Sequence, residues 1–489
     1  MKARPHSPKE QLGALGGSLL TFFVSFALFA LLRQGRPYGD GITILCYLRD
    51  RNFLAHHLLF LPDLALFADL AGNLGIPERT AAFLFSAFCA AAGLAFLHLV
   101  FRRHRSRGEA WLLTLAMGTA PVLLFFGTQV ENHAHHFFWL SFFLFALDNA
   151  LTKRDAEGPS LLRFALSGLL LVGVYASHSS SLLLFPALAL LVHRVLAGPR
   201  LLPTRGEWLP LLLLFVPPLL AKLLDPWFKA QVLGGGDAYL HDTSLQFALS
   251  LMSSKSPGEW LQYLLDEVLL AGPAVLTATL ALLWKRWTTL GLALLALLPY
   301  ILFFGHWPVY EFGAYYLAPF AFLLFLAGRS TLPLRPPLAI LLLGIIASQS
   351  VYGLKRVLTW ERDHSAAPWR FADDAARAAG KGGFIVVETG TKGLFLDYDH
   401  PEVGYSPVEN YEIVIEQQLR ANPQGRELLA KEVAERFLAF ARRGPLLVED
   451  KAWERIAAQY PRVIQALEKH FDKNPVHEGR FRGFRLLPK

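Results

Sequence analysis

The sequence predicts a polytopic α-helical membrane bundle followed by a soluble α/β domain. Of its 489 residues, 53% are hydrophobic and 18% are charged, whereas soluble domains carry about 25% charged residues. Apolar residues form long runs up to about residue 355, and charged residues become frequent after it. We therefore expect a transmembrane domain over residues 1–355 and an extracytoplasmic α/β domain over residues 356–489. Disordered and fibrous proteins are excluded by this composition.

Eleven apolar segments approach the length of about 20 residues that a membrane-spanning helix needs. The first begins close to the N-terminus, but it is long for a signal peptide and no small-residue cleavage site closes it, so we interpret it as an uncleaved span. The expected spans are residues 12–32, 79–101, 111–126, 137–151, 161–176, 182–195, 208–224, 264–284, 288–304, 313–327 and 337–354.

The basic residues of the short connections predict the orientation. Lys and Arg are enriched in cytoplasmic loops, and here they gather after every even-numbered span: Arg102, Arg103, Arg105, Arg107, Lys153, Arg154, Arg194, Arg200, Arg205, Lys285, Arg286, Arg329 and Arg335. We therefore expect a multi-pass protein of the bacterial inner membrane, with the N-terminus in the cytoplasm and the C-terminal domain outside. The net charge of +8 follows from this topology, so a nucleic-acid partner is not needed. The two cysteines, Cys46 and Cys89, provide neither a disulfide framework nor a thiolate metal site.

The C-terminal region has alternating strand and helix patterns. Residues 383–388, 445–449 and 481–487 are typical of strands, and residues 408–419, 425–442 and 453–471 have helical spacing. This order predicts a small α/β domain with parallel pairing. The run Gly234–Gly236 has no strand or helix beside it and does not indicate a nucleotide site.

Asp40 is the strongest single candidate for a catalytic residue. It lies between Gly39 and Gly41 just after the first span, where glycines let a turn bring a carboxylate close to a ligand. A carboxylate there would act as general base towards a hydroxyl. The structural alternative is a tight turn with no catalytic role. We expect Asp40 to share an outward-opening polar cavity with Glu131, because ionisable groups at the membrane boundary usually line such cavities.

Histidines and carboxylates recur in the other outward connections. Glu131, His133 and His135 would bind a divalent metal ion or form a hydrogen-bonded polar cap on the following span. His56 and His57 precede the amphipathic segment 58–70, which we expect to lie at the membrane interface. These two histidines would guide a lipid-linked substrate or simply pack against the bundle.

Two further outward segments contribute candidate substrate-binding residues. In the long loop between residues 225 and 263, Lys229, His241 and Lys255 would meet a phosphate or remain solvated charges. His306 and Glu311 precede an aromatic segment at the membrane interface. Aromatic residues there are typical interface anchors, which does not account for His306 and Glu311.

This pattern resembles the GT-C class of integral membrane glycosyltransferases, in particular the polyprenyl-phosphate-sugar users related to protein O-mannosyltransferases and aminoarabinose transferases. The resemblance covers about the first 355 residues and rests on four features: the Tyr38–Gly41 motif, the segment Ala55–Leu70, Glu131, and the segment Tyr315–Pro319.

The resemblance implies an inverting transfer of a sugar from a polyprenyl-phosphate donor to a hydroxyl of a lipid, glycan or protein acceptor on the outer face. Asp40 and Glu131 would be the catalytic carboxylates. Arg36, His56, His57, His133, Lys229, His241, Lys255, His306 and Glu311 are the candidate substrate-binding residues. No cofactor is implied with certainty, and a divalent metal ion is left open.

The chain departs from the family pattern in two places. The family commonly has two adjacent acidic residues in the first loop, whereas Gly41 follows Asp40 here, and the Arg that often precedes the late Tyr is absent before Tyr315. Two rival functions therefore stay open: a multi-span transporter or lipid flippase, and a non-catalytic scaffold with the GT-C fold.

Overall fold

The computed structural model describes residues 8–35, 37–53, 58–152, 154–155, 158–198, 200, 205–232, 254–307, 311–363, 366–410 and 425–489. The chain divides into two compact units. The first consists of Met1–Gly35 and Arg51–Leu358, and the second of Arg36–Asp50 and Thr359–Lys489. Residues 36–50, which lie within the expected membrane domain, are thus grouped with the C-terminal residues.

The first unit is almost entirely helical. Its α-helices are Pro8–Leu31, Phe60–Gly72, Glu78–His104, Arg107–Gly118, Pro121–Phe126, Asn132–Thr152, Leu161–Ser177, Phe185–Ala197, Arg205–Gln231, Pro257–Tyr263, Pro273–Leu283, Trp287–Gly305, Leu317–Arg329 and Pro336–Asp363. Short 3₁₀ turns occupy Ser179–Leu184 and Ala314–Tyr316, and a π-helical turn occupies Leu264–Leu269. A small antiparallel pair joins β1 (Arg154–Asp155) to β2 (Gly158–Pro159).

Within the described residues, six helices are long and apolar enough to cross a membrane, and a seventh span results if one bent pair is counted. The six are Leu12–Leu31, Glu78–His104, Ser179–Ala197, Trp208–Gln231, Trp287–Gly305 and Pro336–Thr359. The bent pair joins Pro257–Leu269 to Pro273–Leu283 at 82°. The expected count of eleven is therefore not confirmed.

Three of the other expected spans are shorter or interrupted helices, whereas the segment 137–151 lies within the uninterrupted 21-residue helix Asn132–Thr152. The segment 111–126 is divided where Pro121 begins a new helix, since proline cannot donate to the preceding turn. Leu161–Ser177 and Ala314–Arg329 are apolar helices of 10–17 residues. The amphipathic segment expected at 58–70 forms the helix Phe60–Gly72.

Close helix packing in this unit depends on small residues. Every residue of Leu317–Arg329 is buried, as expected for a helix surrounded by other helices. A Cβ atom on Gly168 would lie 2.0 Å from the carbonyl oxygen of Leu213, and one on Gly93 would lie 2.5 Å from the ring of Phe137. Glycines let membrane helices approach this closely.

Polar side chains satisfy the backbone where helices are interrupted. The side chain of Gln349 accepts a hydrogen bond from the Ala274 amide at 3.0 Å, and its Nε2 donates to the Ala116 carbonyl at 2.9 Å. Unsatisfied backbone groups in a bilayer cost several kcal/mol each. Gln349 therefore stabilises the start of one helix and the end of another.

Asp148 is the centre of a buried ionic cluster. Its carboxylate lies 3.1 Å from Arg103 Nη1 and 2.8 Å from His104 Nε2, and it also pairs with Arg329. Arg103 and His104 close one helix, Asp148 lies in a second, and Arg329 ends a third. The cluster thus ties three helices together through one carboxylate.

The second unit is built on a five-stranded mixed sheet. Its strands are β3 (Phe384–Val387), β4 (Gly404–Pro407), β5 (Leu446–Glu449), β6 (Phe471–Glu478) and β7 (Phe481–Pro488), in the order β4-β3-β5-β7-β6. Pairing is parallel among β4, β3 and β5, and antiparallel between β5 and β7 and between β7 and β6. Its helices are Gly41–Arg49, Ala366–Ala379, Gly390–Asp399, Arg426–Ala441, Asp450–Gln459 and Pro461–His470.

The expected strands at 383–388, 445–449 and 481–487 are present, whereas β4 and β6 are additional. The single helix expected over 453–471 is instead two helices, because Pro461 starts the second. Most of the helix expected at 408–419 lies outside the described residues.

Candidate functional site

Buried polar side chains of the first unit gather where the helix Asn132–Thr152 begins. Glu131, His133, His135, His136 and His178 are all at most 8% exposed. Buried polar groups are normally hydrogen-bonded or face a ligand. This concentration of titratable groups makes the region the candidate site of this unit.

His133 is the meeting point of the cluster. Its Nε2 atom lies 3.3 Å from Oε2 of Glu311. Its ring packs edge-on against Phe126 and Tyr315, with centroids 4.9 and 5.5 Å away, and lies 5.5 Å from the ring of His178. Aromatic contacts on several sides fix the imidazole, so that its Nε2 atom faces the carboxylate of Glu311.

His178 and His136 extend the cluster. The Nδ1 atom of His178 accepts a hydrogen bond from the Ser180 amide at 3.1 Å, which assigns the proton of the neutral ring to Nε2. The ring of His136 is 5.3 Å away, and its Nδ1 is 2.9 Å from Ser177 Oγ. Among the described residues, Nε2 of His136 has no hydrogen-bond partner although it is buried.

A strained loop presents Glu311. Phe312 and Gly313 have φ values of 52° and 78°. Glycine adopts this left-handed backbone readily, but Phe312 keeps it only where the surroundings hold it. The carboxylate of Glu267 holds it, accepting hydrogen bonds from the amides of Gly313 at 2.6 Å and Glu311 at 3.2 Å. The guanidinium of Arg356 lies 3.8 Å from the centroid of the Phe312 ring.

Glu267 and Arg356 are the residues that the sequence analysis missed. Glu267 lies in the π-helical turn Leu264–Leu269, inside the expected span 264–284. An ionisable residue within a span indicates a functional role, and π-helical turns are frequent at functional sites. The acidic residue inside that span was therefore a usable signal.

Glu131 lies immediately before the helix Asn132–Thr152 and is buried. A carboxylate beside a helix N-terminus is favoured by the helix dipole. His135 turns elsewhere: its Nε2 lies 2.8 Å from Asp63 Oδ2 and accepts from Trp139 Nε1 at 2.9 Å. The described residues contain no group of three or more His, Cys, Asp or Glu side chains arranged to hold a metal ion.

The described cationic candidates have intramolecular partners. Lys229 Nζ lies 3.4 Å from Asp225 Oδ1, and the Tyr175 hydroxyl is 3.2 Å from the other oxygen of the same carboxylate. Lys255 donates to the carbonyls of Gly305 and Trp307, and burial lowers the pKa of its ammonium.

His306, the neighbour of the carbonyls that Lys255 contacts, packs edge-on against Trp260 at 5.2 Å. Arg36, His56, His57 and His241 lie outside the described residues.

Asp40 belongs to the second unit. It precedes the helix Gly41–Arg49, its side chain is exposed, and its carbonyl accepts from the Ile44 amide at 2.9 Å. Gly39 has a φ of 51°, and the Gly41 amide donates to the Tyr38 carbonyl at 2.7 Å. The turn that the Gly-Asp-Gly motif predicts is thus present, with the carboxylate at its surface.

The architecture matches solved membrane glycosyltransferase structures. ArnT from Cupriavidus metallidurans bound to undecaprenyl phosphate superposes with a TM-score of 0.55 at 12% identity, over 97% of both chains. Its apo structure gives 0.53 at 13% identity, over 97% of this chain and 98% of that one. The chain has the GT-C glycosyltransferase fold. The arabinofuranosyltransferase AftD from Mycobacteria matches with a TM-score of 0.52 at 16% identity, over all of this chain but 40% of AftD.

The GT-C likeness is one of fold. No protein-family model and no curated protein sequence matches the chain. The roles of individual residues on this GT-C fold must therefore be argued from their own surroundings.

Proposed function

We propose that the protein is an integral membrane glycosyltransferase that moves a sugar from a polyprenyl-phosphate donor to an acceptor hydroxyl on the outer face of the membrane. The observation that carries the proposal is the cluster of the buried His133 and His178 with the half-buried Glu311 and Tyr315 on a GT-C fold. A structure of the same fold, ArnT, is bound to undecaprenyl phosphate, which motivates the choice of donor.

Asp40 is the proposed general base. Its carboxylate takes the proton of the acceptor hydroxyl, whose oxygen attacks the anomeric carbon. The bond between that carbon and the phosphate oxygen breaks, polyprenyl phosphate leaves, and the configuration of the anomeric carbon inverts. A positioned base contributes typically about 10² to 10⁴ in rate. The exposed position of Asp40 at a turn suits a group that must meet an incoming acceptor.

Glu131 is the second proposed catalytic carboxylate, and the histidine cluster is the proposed sugar site. The His133–Glu311 pair has donor and acceptor capacity for sugar hydroxyls, and Nε2 of His136 is available for one more contact. We propose that these groups line an outward-opening polar cavity of the first unit.

The leaving phosphate is proposed to meet Lys229, Lys255 and His306, together with Arg36, His56, His57 and His241. Cationic groups stabilise the charge that develops on a departing phosphate. Lys255 would have to exchange its contact with Trp307 for the phosphate. The N-terminus is proposed to be cytoplasmic and the C-terminal residues extracytoplasmic, in a bacterial inner membrane. No metal ion is invoked in this scheme.

Ligand binding by the full chain tests the donor class. Undecaprenyl phosphate should raise the melting temperature of the detergent-solubilised protein, because a ligand that binds only the folded state stabilises it. Undecaprenol, which lacks the phosphate, is the matched control and should have a smaller effect. Equal shifts with both lipids would contradict recognition of a polyprenyl phosphate.

One observation favours a second candidate, a transporter or lipid flippase. The helices Pro257–Leu269 and Pro273–Leu283 meet at 82°, and broken helices are typical of transporter sites. In proteoliposomes, a transporter would move the lipid-linked sugar across the bilayer without cleaving it. Release of polyprenyl phosphate and formation of a glycosylated acceptor would instead support the transferase.

A further inference from the structure

The helix Gly41–Arg49, which follows Asp40 directly, lies on the helix Gly390–Asp399 within the second unit. Ile42 is 2% exposed and belongs to a core cluster with Trp369, Phe395 and Leu396. The hydrophobic residue two positions after Asp40 is therefore part of the core of the C-terminal α/β unit.

Arg49 fastens the far end of the same helix. Its Nη2 donates to Oδ2 of Asp397 at 2.6 Å, and its Nη1 donates to the carbonyl of the same residue at 2.7 Å. Its Nε donates to Asp50 Oδ1 at 2.8 Å, which holds the guanidinium plane. Charge-assisted contacts of this planar group are directional as well as strong. Asp397 lies in the last turn of its helix, where a cation also complements the helix dipole.

Cys46 lies under the middle of the contact. It is 4% exposed, and its Sγ is 3.9 Å from the carbonyl oxygen of Leu394. Burial, together with the charge of Asp397, raises the pKa of the thiol to about 12. Because the thiolate is the reactive form, Cys46 should resist alkylation for as long as the helix stays docked.

We propose that the C-terminal α/β unit positions Asp40 for catalysis, and that the Arg49–Asp397 contact is the positioning element. This inference rests on the proposed role of Asp40 as base. Arg49 and Asp397 act through the helix that begins after Asp40 and are positioning residues. The C-terminal unit thereby contributes to catalysis through the position of Asp40.

The experiment uses the full chain with Cys89→Ala, so that Cys46 is the only thiol. Arg49→Gln and Asp397→Asn each remove the ion pair with little change in size. Glu468→Gln is the matched control, since it removes a comparable pair, with Lys473 at 3.0 Å, elsewhere in the same unit. The readouts are the rate of Cys46 alkylation by a maleimide, the melting temperature, and kcat and KM for sugar transfer.

Arg49→Gln and Asp397→Asn should each accelerate Cys46 alkylation and lower kcat about tenfold or more, since an error of about 1 Å in a reacting group costs up to about a hundredfold. KM and the melting temperature should change little, and Glu468→Gln should match the parent protein in every readout. The charge swap Arg49→Asp with Asp397→Arg should restore part of both effects. A merely structural contact would lower the melting temperature without this selective loss in kcat.

Unchanged alkylation in both variants would overturn the inference, as would faster alkylation with unchanged kcat. In either case, an inactive Asp40→Asn variant would leave the proposed function standing. If Asp40→Asn keeps full activity, the role of Asp40 as base fails, and the positioning inference falls with it.

Discussion

The Nε2 atom of His133 lies 3.3 Å from Oε2 of Glu311. The first residue is at the start of one helix and the second is in a strained loop before another, so only the folded bundle brings them together. Glu267 fixes that loop by accepting hydrogen bonds from two of its backbone amides. The candidate site therefore uses two carboxylates: Glu311 contacts the imidazole of His133, and Glu267 holds the loop that carries Glu311.

Glu311→Gln should reduce kcat/KM for sugar transfer by about 100- to 1000-fold, the loss typical when one preorganised polar group of an active site is removed. The amide keeps the size of the side chain but cannot carry the charge that faces His133. Steady-state kinetics on the reconstituted protein measure the effect. Glu435→Gln, on an exposed helix face of the second unit, is the control, and a Glu311→Gln variant as active as this control would refute the assignment.

Gly313→Ala should destabilise the loop and lower activity. Gly313 has a φ of +78°, and an added Cβ would lie 2.4 Å from the Cβ of Ala271. Backbone strain of this kind costs about 1–3 kcal/mol, before the steric clash is added. Thermal unfolding in detergent measures the loss. Gly291→Ala is the matched control because nothing lies within 4 Å of its added Cβ, and equal effects of the two substitutions would contradict the proposed strain.

Asp148→Asn should lower the free energy of unfolding by about 3–5 kcal/mol, the usual cost of removing one partner from a buried ion pair. Arg329 and Arg103 would lose the charge that offsets their own. The melting temperature of the full chain reports the change. A shift no larger than that of Glu435→Gln would show that water or another group compensates the arginines.

Protection of the five-stranded sheet of the second unit from hydrogen exchange should fall both at low pH and at high pH. Glu388 accepts a hydrogen bond from Lys392, which lowers the pKa of Glu388 from 4.5. Burial alone would lower the pKa of Lys392, but hydrogen bonds to Glu388 and Glu449 raise it above 10.5. The contribution of Glu388 to folding stability is present above pH 4.5 and is lost as the pH falls further. The contribution of Lys392 to folding stability is present below pH 10.5 and is lost as the pH rises.

Hydrogen exchange of the strand Phe384–Val387 in the full chain, corrected for the intrinsic effect of pH, measures this dependence. In the Lys392→Met variant, the amides of this strand should be less protected than in the parent protein at neutral pH. They should also lose less of their protection when the pH is lowered. An identical acid dependence in the two proteins would exclude the Glu388–Lys392 pair as its source.

Local patterns predicted much of the fold. Apolar runs located the helices, and the three β-branched or leucine-rich segments located strands β3, β5 and β7. The spans were harder to count because Pro121 and the π-helical turn at Leu264–Leu269 interrupt apolar runs without changing their composition.

The candidate site was predicted only in its individual residues. Charge at span ends pointed to Asp40, Glu131, His133 and Glu311, and the last two are in contact. The anchoring of Glu311 by Glu267 and the docking of Arg49 on Asp397 join residues far apart in sequence, for which no local pattern exists. Such long-range pairings follow from the fold and not from the motifs.

The most direct measurement is the release of undecaprenyl phosphate, together with glycosylated product, by the full chain in liposomes. The liposomes are supplied with undecaprenyl-phosphate-linked pentoses and hexoses as donors and with envelope lipids as acceptors. The account predicts turnover of at least one donor by the parent protein and by Glu435→Gln. Asp40→Asn should lose about 10² to 10⁴ of that rate while it folds and binds undecaprenyl phosphate as before. Full turnover by Asp40→Asn, or donor transport without any cleavage, would contradict it.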